Sequence, residues 1–393
     1  VVKQHSRDVF AAALLLGSGY NELGIEQIEI DGKADTRDYA VHEVLFGEAW
    51  WAKLSAYARQ RRGPLKFILD TGVRTTVLTE KSLSDLLNLE YARKITIPGV
   101  GGEKLVDAFV VNNVSLNIGE IQGEGHALLV LEKDLLQLKN YLGVNVHGIL
   151  GYELFSRFII DINYGKKVIN FYRPEDFTKR KKFSELDISI EDTKPYLQAN
   201  LTIRDSSGVK EGKFLIDTGS SHTLLLDSRT TDVFYCPEPN LETNLGRGLG
   251  GNIEGRVARI EALSFDKFEF KELIATFPDK QSYDVDYSYN ERNGTIGGGL
   301  MTRFHTIFDY AEGKLYIKKS RGYKKTFEFN LSGLIVKATG VYLREYEVDN
   351  VRPNSAAEEA GIEVGDKITS INGTNVSELT LDQLLGQLND KEN

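Results

Sequence analysis

The sequence predicts a mostly β, two-lobed protein with a separate α+β module at its C-terminal end, and three observations carry that expectation. The heptapeptide Lys66-Phe67-Ile68-Leu69-Asp70-Thr71-Gly72 recurs as Lys213-Phe214-Leu215-Ile216-Asp217-Thr218-Gly219. A second motif, Gly148-Ile149-Leu150-Gly151, recurs as Gly294-Thr295-Ile296-Gly297, at the same distance behind its Asp-Thr-Gly to within one residue. After Lys319 the repeat stops and residues 349–373 follow another pattern.

At 393 residues the chain exceeds what one hydrophobic core usually supports, so two or three domains are expected. Hydrophobic residues at 41% and charged residues at 27% describe a globular protein that is neither disordered nor a bundle of membrane helices. A net charge of −9 argues against a nucleic-acid binder. One cysteine, Cys236, leaves no internal disulfide, and the six histidines show no metal-ligand spacing, so no metal or cofactor is expected.

Residues 1–48 form an N-terminal segment of unknown role. The apolar run at 9–16 is about half the roughly 20 residues of a membrane helix. It reads either as a signal-peptide core behind Lys3 and Arg7 or as a short helix capped by Gly17, with the helix preferred. The alternation from Ile25 to Ile30 suits an edge strand, and Trp50-Trp51 suit core positions where the first lobe begins.

The two repeat units, residues 49–175 and 176–322, read as β-rich. Short β-branched and aromatic runs such as 167–172 and 314–317 lie between turn residues, and helical periodicity is sparse. Smaller echoes support the duplication: Arg157-Phe158 matches Arg303-Phe304, and Asn163-Tyr164 matches Asp309-Tyr310. Between the units, Pro174 and the cluster Lys179, Arg180, Lys181 and Lys182 read as a solvated linker.

Two aliphatic residues before Asp-Thr-Gly, found twice at equivalent places, point to chemistry rather than to a turn, although Asp-Thr-Gly also makes a good turn. Two carboxylates brought together across a pseudo-twofold axis share one proton, because both cannot ionise at close range. The pair then holds an acid and a base, enough to activate a water and protonate a developing oxyanion. Gly72 and Gly219 allow the loops to approach, and Thr71 and Thr218 can bond across the axis.

These motifs resemble the aspartic protease clan, in which each lobe supplies an apolar-apolar-Asp-Thr-Gly loop braced by a later apolar-apolar-Gly segment. The resemblance implies catalytic Asp70 and Asp217, with Thr71, Gly72, Thr218, Gly219 and Ser220 in support. Each lobe also carries a glycine-rich turn, Pro98-Gly99-Val100-Gly101-Gly102 and Gly246-Arg247-Gly248-Leu249-Gly250-Gly251, which looks like a substrate-covering flap. Val100, Gly101, Gly102, Leu249, Gly250 and Gly251 would therefore touch substrate. Two flaps make the chain similar to a fused pair of retropepsins: two β-barrel lobes with a catalytic cleft between them.

The family's small residue after Asp-Thr-Gly is present as Ser220, but the first lobe has Val73 and then Arg74. A Ser220 hydroxyl bonded to Asp217 would favour the ionised form there, leaving Asp70 protonated. Arg74 could reach the carboxylates or turn to the surface, the latter being preferred.

Within residues 323–393 a short helix opens at Ser355 and is capped by Gly361, Gly365-Asp366 precedes a strand, and Asn372-Gly373 makes a tight hairpin. This run resembles a bacterial PDZ domain. The resemblance implies a peptide groove at Gly333, Leu334, Ile335 and Val336 beside a helix over 381–388, with the usual last strand absent. Without a second glycine in the loop, strand addition is favoured over capture of a chain terminus.

The function implied is an aspartic endopeptidase whose PDZ domain recruits or regulates peptide. The alternative is a catalytically weak or inactive peptide-binding protein on the same fold. Partners would be a polypeptide substrate and a peptide or protein ligand of the PDZ domain, with no nucleic acid and no membrane span. A periplasmic, cell-surface or secreted location follows by analogy only.

Overall fold

The computed structural model describes residues 39–42, 52–56, 65–102, 105–118, 121–204, 208–227, 233–281 and 292–388. The run at 9–16, the alternation at 25–30 and Trp50-Trp51 lie outside them.

The two lobes are the same sheet folded twice. In the first lobe the strand order is Ala52–Ala56, Leu65–Leu69, Gly148–Leu150, Val77–Leu78, Ile121–Leu131, Leu105–Ile118 and Tyr91–Pro98. In the second it is Lys194–Thr202, Lys210–Ile216, Arg292–Ile296, Leu224–Leu226, Phe268–Pro278, Gly251–Phe265 and Asn240–Gly248, with Ser189–Glu191 added outside the first of these. Strand for strand the two orders correspond. Lys194–Thr202 also pairs with Gly251–Phe265, which curls the second sheet into a barrel.

Within each lobe the strand entering the Asp-Thr-Gly loop lies parallel to the one carrying the second motif, Phe67 opposite Gly148 and Phe214 opposite Gly294. Strands covered on both faces lack an exposed polar side, so these runs read as continuous apolar sequence rather than alternation. Ile149, Leu150, Phe214, Leu215 and Ile216 are fully buried. The long hairpin strands keep a solvent face and alternate, as in Ile253, Gly255 and Val257 inward against Asn252, Glu254 and Arg256.

A third sheet joins the lobes. Its order is Tyr39–His42, Val168–Tyr172, Ile159–Asn163, Phe304–Asp309, Lys314–Lys319 and Ser184–Asp187. The pseudo-twofold seam is the antiparallel pair Ile159–Asn163 and Phe304–Asp309, in which Asp161 faces Ile307. Phe155 packs edge-on against Phe308 at 5.6 Å beneath it.

The basic stretch between the units is not uniformly solvated. Lys179, Lys181 and Lys182 are exposed. Arg180 instead reaches the fully buried Asp161, with Nη2 2.7 Å from Oδ2, and His305 pairs with the same carboxylate. A buried carboxylate needs such partners, and the linker arginine supplies one.

The C-terminal module has its own core of Leu334, Val336, Ala338, Tyr346, Val348, Val376, Leu381 and Leu384. Leu334–Thr339, Glu345–Val351 and Lys367–Ile368 form its sheet, with Leu334–Thr339 at the edge, and the helix Leu381–Leu388 lies beside that strand. The Ser355 hydroxyl accepts from Glu358 N–H at the helix start, and Gly361 takes φ +76 at its end. Asn372 and Gly373 both have positive φ between the strands Ser370–Ile371 and Thr374–Asn375, as the tight hairpin requires.

Candidate active site

Asp70 and Asp217 end parallel strands of the two lobes, and each is held by its own second motif. Asp70 N–H donates to Leu150 O at 2.8 Å and Asp217 N–H to Ile296 O at 2.9 Å. One turn later Tyr152 N–H donates to Val73 O, and Gly298 N–H to Ser220 O. The brace expected at residues 149–151 and 295–297 is therefore in contact with both loops.

The threonines lock the loops to each other. Thr71 N–H donates to Thr218 Oγ1 at 3.1 Å, and Thr218 N–H to Thr71 Oγ1 at 3.0 Å. Each hydroxyl then donates across the axis, Thr71 to Ile216 O at 2.6 Å and Thr218 to Leu69 O at 2.9 Å. All four bonds are buried, where a polar group must find a partner.

Both aspartates are buried, at 2% and 1% exposure, so each carboxylate must be stabilised by what faces it. Gly72 N–H donates to Asp70 Oδ1 at 2.6 Å. Asp217 Oδ1 accepts two amides, from Gly219 at 2.9 Å and Ser220 at 3.0 Å. Burial pushes Asp70 well above the ordinary carboxylate range, and the charge of Asp217 pushes it further. Burial raises Asp217 too, but a hydrogen bond from Asp70, the charge of Arg292 and the two amides pull it back. Asp217 Oδ2 is buried and accepts no hydrogen bond from the residues described. Both carboxyls are held above their ordinary range, so the pair carries one proton between them where isolated carboxylates would be ionised.

The contact made by Ser220 differs from the one the sequence suggests. The Ser220 backbone amide, not its hydroxyl, reaches Asp217; the hydroxyl lies near Gly297. Val73 is fully buried among Ile68, Val77 and Ile149. Arg74 turns away from the dyad and pairs with Asp192 of the second lobe at 3.4 Å.

Arg292 is the charged neighbour of Asp217 that sequence reading misses. It is fully buried, donates from Nε to Gly294 O at 3.0 Å and from Nη2 to Thr295 Oγ1, and biases Asp217 toward ionisation. Its signal is a mismatch in the repeat, because the position two residues before Gly148 is the buried Val146.

The flap residues lie at the tips of the hairpins Tyr91–Pro98/Leu105–Ile118 and Asn240–Gly248/Gly251–Phe265. Gly250 N–H donates to Val100 O at 2.7 Å, joining the tips. Gly101 has φ +117, and a Cβ there would lie 2.3 Å from Gly251 O, so only glycine allows this approach. The tip side chains cross over. Val100 is buried among Tyr196, Leu215, Leu225 and Val257 of the second lobe, and Leu249 among Ile68, Val73, Val77 and Ile149 of the first. The glycine pattern marks both hairpins but gives no sign of this exchange.

Of the expected PDZ groove residues, Leu334 and Val336 face the module's core and Ile335 is half-buried. Gly333 N–H is taken by Asn330 Oδ1 at 3.1 Å and Leu334 N–H by Ser332 Oγ at 3.2 Å. The two amides that would hold a chain-terminal carboxylate are thus already engaged.

Two retropepsin-like lobes closed on a pair of Asp-Thr-Gly loops, with a PDZ fold appended, define the class of protein. Family profiles agree: the aspartyl protease profile matches residues 59–154 and again 199–298, and the PDZ domain profile matches 347–389. The chain is a duplicated, single-chain aspartyl protease fold of retropepsin-like type carrying a C-terminal PDZ domain. No curated protein matches it. Among the described residues no group of three His, Cys, Asp or Glu is arranged to hold a metal, and no helix is long and apolar enough to cross a membrane.

Proposed function

We propose that the protein is an aspartic endopeptidase that hydrolyses peptide bonds with a water held between Asp70 and Asp217. The observation that carries this reading is the buried carboxyl pair, both members raised above the ordinary range and fixed by the reciprocal threonine bonds. Ionised Asp217 takes a proton from the water as its oxygen attacks the peptide carbonyl. Protonated Asp70 donates its proton to the carbonyl oxygen, giving a neutral tetrahedral diol. The proton on Asp217 then passes to the leaving nitrogen as the C–N bond breaks, and one diol hydroxyl returns its proton to Asp70, restoring the starting state.

The residues proposed to act are Asp70 and Asp217 as the reacting pair, Thr71, Gly72, Thr218, Gly219 and Ser220 as their support, and Val100, Gly101, Gly102, Leu249, Gly250 and Gly251 as the cover over bound chain. An extended polypeptide is the substrate class, because a cleft roofed by two hairpins offers backbone partners along its length. The Arg74–Asp192 ion pair supports an active site, since the neighbouring cation that could hold both carboxylates ionised is engaged elsewhere.

The test is cleavage of an unfolded protein substrate by wild type, Asp70→Asn and Asp217→Asn. Loss of cleavage in each variant, with unchanged circular dichroism, is expected. Activity surviving in both discredits the dyad.

A further inference from the structure

The PDZ groove is not an open surface in this molecule. Its edge strand, Leu334–Thr339, pairs with Glu345–Val351 on one side and with no strand on the other among the described residues. Across that other side lies a turn of the first lobe, residues 137–143, containing the short helix Leu138–Leu142. Asn140 Nδ2 donates to Ala338 O at 2.8 Å, an edge-strand carbonyl of the kind an added strand would use. At the end of the turn Gly143, with φ +63, sits so close to the groove helix that a Cβ there would lie 2.6 Å from Leu381 Cβ. The turn therefore touches both walls of the groove.

The same turn is tied to the second flap. Tyr141 OH donates to Asp349 Oδ2 of the PDZ sheet at 2.5 Å and accepts from Arg247 Nη1 at 2.9 Å. Arg247 Nε donates to Leu135 O at 2.9 Å, and its guanidinium lies 5.3 Å from the Tyr141 ring centroid. Arg247 is one residue from Gly248 and two from the flap-tip Leu249. A continuous path of hydrogen bonds thus runs from the PDZ sheet through Tyr141 to the flap that covers Asp70 and Asp217.

We infer that the first lobe's turn at 137–143 is an internal occupant of the PDZ groove, and that an extended peptide adding to Leu334–Thr339 evicts it and releases the second flap. The partner is an extended peptide segment that pairs with the strand edge and need not present a chain terminus. Its consequence for turnover rests on the endopeptidase reading, whereas the coupling itself does not. The coupling requires each side of the path to have a second arrangement, turn out and tip free, beside the packed one.

Hydrogen exchange of the full chain tests the coupling without requiring cleavage. Tyr141→Phe removes the shared hydroxyl, Asn140→Ala acts from the PDZ side only, and Arg247→Lys acts from the flap side only. In Tyr141→Phe and Asn140→Ala, amides of 334–339 and of the flap at 245–253 are expected to exchange about three- to tenfold faster, the effect of losing one or two partly buried hydrogen bonds. In Arg247→Lys the flap should respond directly and the amides of 334–339 by a smaller factor, because coupling between two sites is reciprocal. Protection of the PDZ strand Glu345–Val351 reports that each variant is folded, and if Tyr141→Phe fails to fold the other two variants answer the same question. Flap exchange at the wild-type rate in Asn140→Ala, with the edge strand exposed, overturns the coupling. Repeating the series in Asp70→Asn separates the two readings: coupling that persists there stands even if no variant ever cleaves.

Discussion

Removing the Thr71 hydroxyl is the sharpest test of how the lobes are held. In Thr71→Val the side chain keeps its volume but loses the bond donated to Ile216 O and the one accepted from Thr218 N–H. Thr71 is fully buried, and water cannot replace either partner. A buried group left without its partner costs roughly 1–3 kcal/mol, so two of them cost about 2–6 kcal/mol. For a folding unit the size of the joined lobes, 1 kcal/mol moves the midpoint by about 2–4 °C, giving a fall on the order of 5–20 °C. Thermal unfolding of the full chain followed by tyrosine fluorescence measures it, with Thr71→Ser as control, because serine keeps the hydroxyl and loses only a methyl. If Thr71→Val melts within about 2 °C of Thr71→Ser, the cross-axis bonds do not hold the lobes and the reasoning fails.

The two glycines of the loops are expected to differ. A Cβ at Gly219 would lie 2.1 Å from Asp70 Oδ2, whereas at Gly72 the nearest atoms are 3.1 Å away. Gly219→Ala should displace the Asp70 carboxyl and cut kcat/KM by about 100-fold or more, the usual cost of an ångström's misplacement, with Gly72→Ala much milder. Equal losses would contradict this geometry. The second expectation concerns pH: the folded-state pKa of Asp70 lies above its unfolded value, so its favourable contribution is complete below the unfolded carboxylate range and is lost as pH rises through the folded value. Asp70→Asn does not titrate, and its melting temperature should exceed that of wild type by a gap that widens from pH 4 to pH 7. A constant gap would mean that burial of the charge is not the cause.

The duplicated β architecture, the two Asp-Thr-Gly loops with their braces, and the PDZ pattern are legible in the sequence because each rests on local signals. Those signals are strand periodicity, a turn demanding glycine, a helix cap, and repetition of all of them in order. What sequence reading misses is set by contacts between distant segments. Arg180 belongs to a charged run, and only the third sheet reveals the buried Asp161 it answers. Ser220 is named by its hydroxyl, but the loop geometry presents its amide. Arg292 announces itself only against Val146 in the other repeat, and the packing of 137–143 on the PDZ strand leaves no periodic trace at all.

The seam between Ile159–Asn163 and Phe304–Asp309 joins two halves of one chain rather than two copies. Assembly of the dyad is consequently a unimolecular event, and dilution cannot dissolve it. A self-associating pair of identical subunits must also carry every residue twice, whereas here each half is free to diverge. Val73 can fill a core where Ser220 lends an amide, Arg292 can stand where its counterpart is Val146, and one flap alone can be wired to a peptide-binding domain. Fusion thus permits a division of labour between the halves that strict twofold symmetry forbids.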